Sequence, residues 1–155
     1  MRYFITFFAT GCGAGFSPVA PGKAGALVGL AAWWGLSVLP LHVLIPTVIA
    51  FIFFAIWIST QACAIFNDKD PSKVTIDEIA GIFVTFLFHE FTWATAIAGF
   101  VLFRIFDIAK PWPVCWADRK LSGGWGVVMD DVFAGVYANA ALWVVIVLLK
   151  HQHII

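Results

Sequence analysis

The sequence predicts an all-α fold, a compact bundle of mostly membrane-embedded helices with its charged loops on one face. Three observations predict it. Of the 155 residues, 62% are hydrophobic and only 12% charged, about half the usual ~25%. Mean hydropathy is +0.95, the range of an integral membrane protein rather than a soluble one. The charge that remains is confined. Between Lys23 and Asp68, and again over 132–149, there is no Asp, Glu, Lys or Arg, and 79–103 carries only Glu90.

The length of the chain suits one domain, 1–155. Arg2 precedes a short apolar run, Tyr3 to Ala9, which reads as a retained interfacial helix although Ala9-Thr10-Gly11-Cys12 faintly resembles a leader cleavage site. The uncharged stretch 24–67 is too long for one crossing, since ~20 residues traverse ~30 Å of hydrocarbon. It breaks at Leu39-Pro40-Leu41-His42, because proline disfavours helix in the residue before it. Spans are expected near 24–39 and 43–66. The segment 79–106 reads either as one span or as a hairpin turning at His89-Glu90-Phe91-Thr92. A single span would bury Glu90 near mid-membrane at ~2.5–3.5 kcal/mol, so the hairpin is preferred. The last span is expected over 131–149, with Asp130-Asp131 at its positive dipole end.

With the hairpin, eight of the nine acidic and eight of the nine basic residues share one face, leaving Glu90 and Lys150 on the other with His42, His89, His151 and His153. The positive-inside rule assigns the charged face to the cytoplasm. Net charge is zero and no basic face emerges, so nucleic acid is excluded as a partner. Cys12, Cys63 and Cys115 match no zinc spacing and read as reduced packing residues. Trp112, Trp116 and Trp125 fit an interfacial aromatic belt. A short echo links Ile76-Asp77-Glu78-Ile79-Ala80-Gly81 with Met129-Asp130-Asp131-Val132-Phe133-Ala134-Gly135, and its small residues would let two helices approach closely.

Five carboxylates, Asp77, Glu78, Asp107, Asp130 and Asp131, fall at helix ends on the charged face. Adjacent acids repel unless a cation neutralises them. Hard oxygen ligands of this kind suit Mg2+, which commonly acts together with a substrate phosphate. Arg104, Asp107 and Lys110 are spaced by three, so neighbours share a helical face if the helix persists to Lys110. Lys110 reads as a snorkelling helix-end lysine or as a phosphate ligand. Two glycine-bearing loops, 11–23 and 122–126, offer backbone amides of the sort that form anion nests, although no Walker A motif is present. Other phosphatase chemistries do not fit. There is no Gly-x-Ser-x-Gly elbow, the histidines fall on the wrong face, and Asp68-x-Asp70 follows an apolar helix rather than a strand.

The segments Asp70-Pro71-Ser72-Lys73-Val74-Thr75-Ile76-Asp77-Glu78-Ile79-Ala80-Gly81, Phe103-Arg104-Ile105-Phe106-Asp107-Ile108-Ala109-Lys110-Pro111-Trp112-Pro113, Asp118-Arg119 with Gly123-Gly124, and Met129 to Gly135 closely resemble the phosphatidylglycerophosphatase A family. Ser17-Pro18-Val19-Ala20-Pro21-Gly22 resembles its N-terminal loop. The resemblance covers essentially the whole chain. It implies a multi-pass enzyme of the bacterial inner membrane, using Mg2+ to convert phosphatidylglycerophosphate to phosphatidylglycerol and phosphate, among membrane lipids and with no obligatory protein partner. On that reading Asp77, Glu78, Asp130 and Asp131 hold metal. Asp77, Asp107 and Asp131 are the catalytic acids, with Asp107 a further ligand or the general base for water. Lys110, Arg104, Arg119 and Lys23 bind phosphate, although Lys23 stands where the family has a small hydroxyl residue. The rival reading is a small transporter or channel subunit with a carboxylate-lined ion path, which would place the acids mid-span.

Overall fold

The structure is a computed structural model that describes residues 1–151, with side chains placed as far as Leu148. Lys150, His151 and His153, expected opposite the charged face, lie outside the described side chains. Among the described residues the chain forms seven α-helices and no strand.

Helix α1 (Arg2–Ala9) buries Ile5 and Ala9 and leaves Tyr3, Phe4 and Phe7 exposed, the division expected of an interfacial helix. Helix α2 (Pro21–Leu36) opens on proline, whose missing N–H costs nothing at the first helical position. It ends three residues before the predicted span does. Its 16 residues, ~24 Å long, match the expected span in length, with the whole element displaced towards the N-terminus. Helix α3 (Leu41–Phe66) starts immediately after Pro40 and stops at Asn67, which adopts a left-handed conformation with φ 53°. At 26 residues it is long and apolar enough to cross a membrane.

The hairpin over 79–106 is present. Helix α4 (Ile76–Phe86) stops short, and α5 (Trp93–Ala109) restarts after a turn. Thr92 caps the restart: its hydroxyl accepts from the Thr95 amide at 3.1 Å, and the Thr95 hydroxyl accepts from the Thr92 amide at 2.9 Å. Helix α6 (Val114–Lys120) is short, and α7 (Gly124–His151) is the second helix able to span a bilayer. Helix α7 begins earlier than the expected 131. Asp130 and Asp131 therefore lie about two turns inside it, and the dipole-end explanation for that pair fails.

Helix α4 is the hub. Nine of its 11 residues are buried, enclosed by α2, α3, α5 and α7. Glycines make the enclosure possible. A Cβ on Gly81 would lie 2.8 Å from the Asp131 carbonyl oxygen, and one on Gly135 would lie 2.5 Å from the Gly81 carbonyl oxygen. The sequence echo is thus the α4–α7 contact itself. On the outside, Ile97, Val101, Ile105 and Ile108 of α5 form an exposed apolar row, as do Ile49, Phe53 and Trp57 of α3. Such rows are unfavourable in water and natural against lipid.

Asn139 of α7 secures the inner end of α4. Its amide Nδ2 donates to the carbonyls of Val84, Thr85 and Leu87 at 3.0, 3.0 and 2.7 Å. These are among the last carbonyls of a short helix, which lack partners within it. Asn139→Leu should lower the unfolding midpoint in detergent by the equivalent of about 1–3 kcal/mol. A variant melting with the wild type would show that water satisfies those carbonyls instead.

Candidate active site

The five predicted carboxylates converge. Asp77, Glu78, Asp107, Asp130 and Asp131 all line one cavity of about 280 Å³, together with Arg104, Lys110, Asp70 and the backbone of Pro21 and Gly22. The outer ends of α4 and α5 therefore lie together, as a hairpin requires and a single span forbids. Glu90 lies at the opposite end, on a separate cavity with His89.

Within the cavity the acids divide into two groups. Oxygens of Asp77, Glu78 and Asp131 lie within 4.8 Å of one another. Asp77 and Asp131 are almost wholly buried, at 8% and 4% exposure. Asp77 Oδ1 and Glu78 Oε2 are buried without a hydrogen-bond partner. Burial, and then the Glu78 and Asp131 carboxylates, push Asp77 well above the usual carboxylate range, and burial also raises Glu78. Three acids sharing a dry site with orphaned oxygens cannot all ionise unless something cationic joins them. The donor set, all hard carboxylate oxygen, fits a divalent cation of the Mg2+ class.

Asp130 stands apart from that trio. It accepts from the Lys110 ammonium at 2.9 Å, while Asp118 accepts from the same nitrogen at 2.8 Å. The expected helical face of Arg104, Asp107 and Lys110 holds only for the first pair. Arg104 Nη1 lies 2.8 Å from Asp107 Oδ2, an ion pair one turn apart. Lys110 leaves the helix with φ 43° and so reaches Asp118 and Asp130 rather than continuing the row. Burial alone would depress the Lys110 ammonium, but its bonds to Asp118 and Asp130 outweigh that and hold it above the ordinary lysine value. Arg104 Nε and Nη1 are both buried and make no hydrogen bond, so the Asp107 contact is an ion pair that leaves the guanidinium's hydrogen-bonding capacity unsatisfied.

Two expected phosphate contacts fall elsewhere. Lys23 is exposed and does not line the cavity, although its neighbour Gly22 packs directly on the Glu78 carboxylate. Arg119 lines an adjoining cavity instead. The first half of the first glycine loop is not an anion nest: its amides from Gly11 to Ser17 all donate to carbonyls between Phe7 and Ala14, and the backbone of Gly15 packs on that of Lys73. In the second loop the Gly124 amide is taken by the Thr60 hydroxyl at 3.1 Å. The three cysteines are free, and Cys12 is exposed rather than packed. Asp70, Pro71 and Ser72 line the acid cavity, although sequence reasoning gave them no role. Their only signal was membership of the motif that leads into Asp77.

Comparison with known proteins identifies the family. Residues 7–146 match the phosphatidylglycerophosphatase A family. The chain is 34% identical to phosphatidylglycerophosphatase A of Escherichia coli strain K12, over 87% of this chain and 79% of that protein. It is 34% identical to phosphatidylglycerophosphatase A of Haemophilus influenzae, over 86% and 83% of the two chains. A Bacteroides thetaiotaomicron protein, named provisionally as a phosphatidylinositol-3-phosphatase, is 42% identical over 88% of this chain and 92% of its own. No solved structure matches the chain. The buried acid trio thus sits within a match that runs nearly end to end, and the chain belongs to the phosphatidylglycerophosphatase A family of phosphoric monoester hydrolases.

Proposed function

We propose that this chain removes the terminal phosphate of phosphatidylglycerophosphate, releasing phosphatidylglycerol and inorganic phosphate at the cytoplasmic face of the bacterial inner membrane. The observation that carries the reading is the trio Asp77, Glu78 and Asp131, drawn from two helices at one end of the bundle, with Asp77 and Asp131 buried and an orphaned oxygen on each of Asp77 and Glu78. Six carboxylates, Asp70 among them, face this cavity against the two cations Arg104 and Lys110, so a phosphate dianion entering it alone would be repelled. Mg2+ bound by Asp77, Glu78 and Asp131 would offset that charge, polarise the phosphoryl oxygens and lower the pKa of a bound water.

The remaining roles follow from position. Arg104, paired with Asp107 and lining the cavity, would offset phosphate charge. Asp107 keeps 17% of its side chain accessible and lies beside the trio, where it can accept the proton of the attacking water. Lys110 is committed to Asp118 and Asp130, so it positions Asp130 and the C-terminal half of α6 rather than gripping phosphate. The two long apolar helices and the exposed apolar rows hold this cavity at a membrane surface, where a lipid headgroup can enter it.

Phosphate release from pure phosphatidylglycerophosphate in mixed micelles tests the reading. Activity should fall more than about 100-fold in EDTA and return on adding Mg2+. Full turnover in EDTA would remove the metal from the mechanism. Turnover of phosphatidylinositol 3-phosphate but not of phosphatidylglycerophosphate would reassign the substrate to the chemistry for which the Bacteroides relative is named.

A further inference from the structure

The acid cavity has a neighbour of opposite character. A second cavity, of about 320 Å³, is walled by Lys69, Arg119, Lys120, Ser122 and the backbone of Gly123, and it shares Asp70 and Asp130 with the first. Its acids are largely spoken for. Asp118 and Asp130 both bind Lys110, at 2.8 and 2.9 Å. Lys69, Arg119 and Lys120 have no carboxylate within ion-pair distance among the described residues. On the shared wall, Asp70 has no such partner, but its field is partly offset by the nearby Lys110. Three uncommitted cations and a serine hydroxyl thus face a concave space that opens beside the acid trio. That is a chemistry for an anion, and one that needs no metal.

We propose that this second cavity binds a phosphodiester, so that the two cavities together select lipids carrying a phosphomonoester and a phosphodiester on one headgroup. The inference rests on the lipid-phosphatase reading above and adds to it a source of specificity. A substrate with two phosphates separated by a short polyol needs two unlike sites: one that admits the scissile dianion through a bound cation, and one that holds the permanent monoanion by direct contacts. The two cavities offer this pair of characters side by side, sharing a wall of Asp70, Val127 and Asp130. The exposed Trp116 of α6 and Trp125 of α7 flank the segment that forms the basic wall, which keeps it at headgroup level. A lipid bearing only a monoester leaves the second cavity unused and gains nothing from it. Arg119, expected from the sequence to touch the scissile phosphate, is reassigned to the neighbouring diester.

The test compares phosphatidylglycerophosphate with phosphatidic acid, which has no diester, in the same micelles. Arg119→Gln and the pair Lys69→Gln with Lys120→Gln should each lower the ratio of kcat/KM for the two lipids about tenfold, mainly through KM for the first. An unchanged ratio overturns the proposal, whether both activities persist or both fall together. Equilibrium dialysis of radiolabelled glycerophosphoglycerol against detergent-solubilised protein in EDTA reads the cavity without turnover. Saturable binding by the wild type, lost in the variants, supports the assignment, and absence of saturable binding overturns it. Failure of the wild type to release phosphate from either lipid would instead sink the phosphatase reading, with dialysis still deciding the fate of the second cavity.

Discussion

Asp77→Asn is expected to abolish phosphate release while making the cation-free protein harder to unfold. The first effect follows from the trio. Loss of a partner that merely orients a metal ligand costs ~10–100-fold, so loss of a direct oxygen ligand should exceed about 100-fold. The second follows from the sign of the electrostatics. Burial and the facing Glu78 and Asp131 carboxylates raise Asp77 above its unfolded value, so the folded state holds its proton more tightly than the unfolded chain does. Stability from that proton is complete below the unfolded carboxylate value of ~4. It is lost as pH rises through the raised folded value. In EDTA, wild-type melting temperature in detergent should therefore fall as pH increases, and Asp77→Asn should flatten the fall. Added Mg2+ should have the reverse dependence in the wild type, stabilising more at higher pH because protons compete for the same oxygens. A variant that keeps activity would remove Asp77 from the site. A variant that lowers stability equally at every pH would show that its carboxylate is held by contacts outside the trio.

Gly135→Leu should have a large structural effect at the bundle's centre. A Cβ there meets the Gly81 carbonyl oxygen at 2.5 Å and the Val84 Cβ at 3.1 Å, and backbone on a buried helix cannot yield as a side-chain tip can. Overpacking a well-fitted core typically costs ~1–3 kcal/mol and occasionally more. Here it forces α4 and α7 apart, and these helices carry Asp77 with Glu78 and Asp131 respectively, so activity and monodispersity in detergent should fall together. Gly35→Ala is the matched control. It lies inside α2 with open space where its Cβ would go, and alanine outranks glycine in a helix by ~0.8–1.0 kcal/mol. Its melting point should hold or rise. If Gly135→Leu melts like Gly35→Ala, the close α4–α7 approach is not what supports the site.

Much of the architecture was legible because it follows from solvation. The charge-free runs marked helices, Pro40 marked the break between α2 and α3, and the cost of Glu90 at mid-membrane pointed to the hairpin that the structure contains. Boundaries were less legible. Helix α2 lies N-terminal to its expected bounds, and α7 starts ahead of its acidic pair, where Gly124 packs its backbone on α3, next to the carbonyl of Ile56. That contact lies between residues far apart in the chain and leaves no local pattern.

The candidate site divides the same way. Residue type and position along the chain were enough to nominate Asp77, Glu78, Asp107, Asp130 and Asp131, since acids flanking apolar helices are costly and rarely idle. Which of them lie together was not readable in one dimension. Asp130 and Asp131 are neighbours in sequence, yet about 100° per residue of helical rotation turns the first to Lys110 and the second to Asp77 and Glu78. Lys110 likewise left the face shared by Arg104 and Asp107 because of one left-handed residue at the helix end. Solvation preferences belong to each residue wherever it lies, so they survive in the bare chain. Partnership between buried charges depends on ångström separations across helices, and only the glycine-lined approach of α4 and α7 brings those separations about.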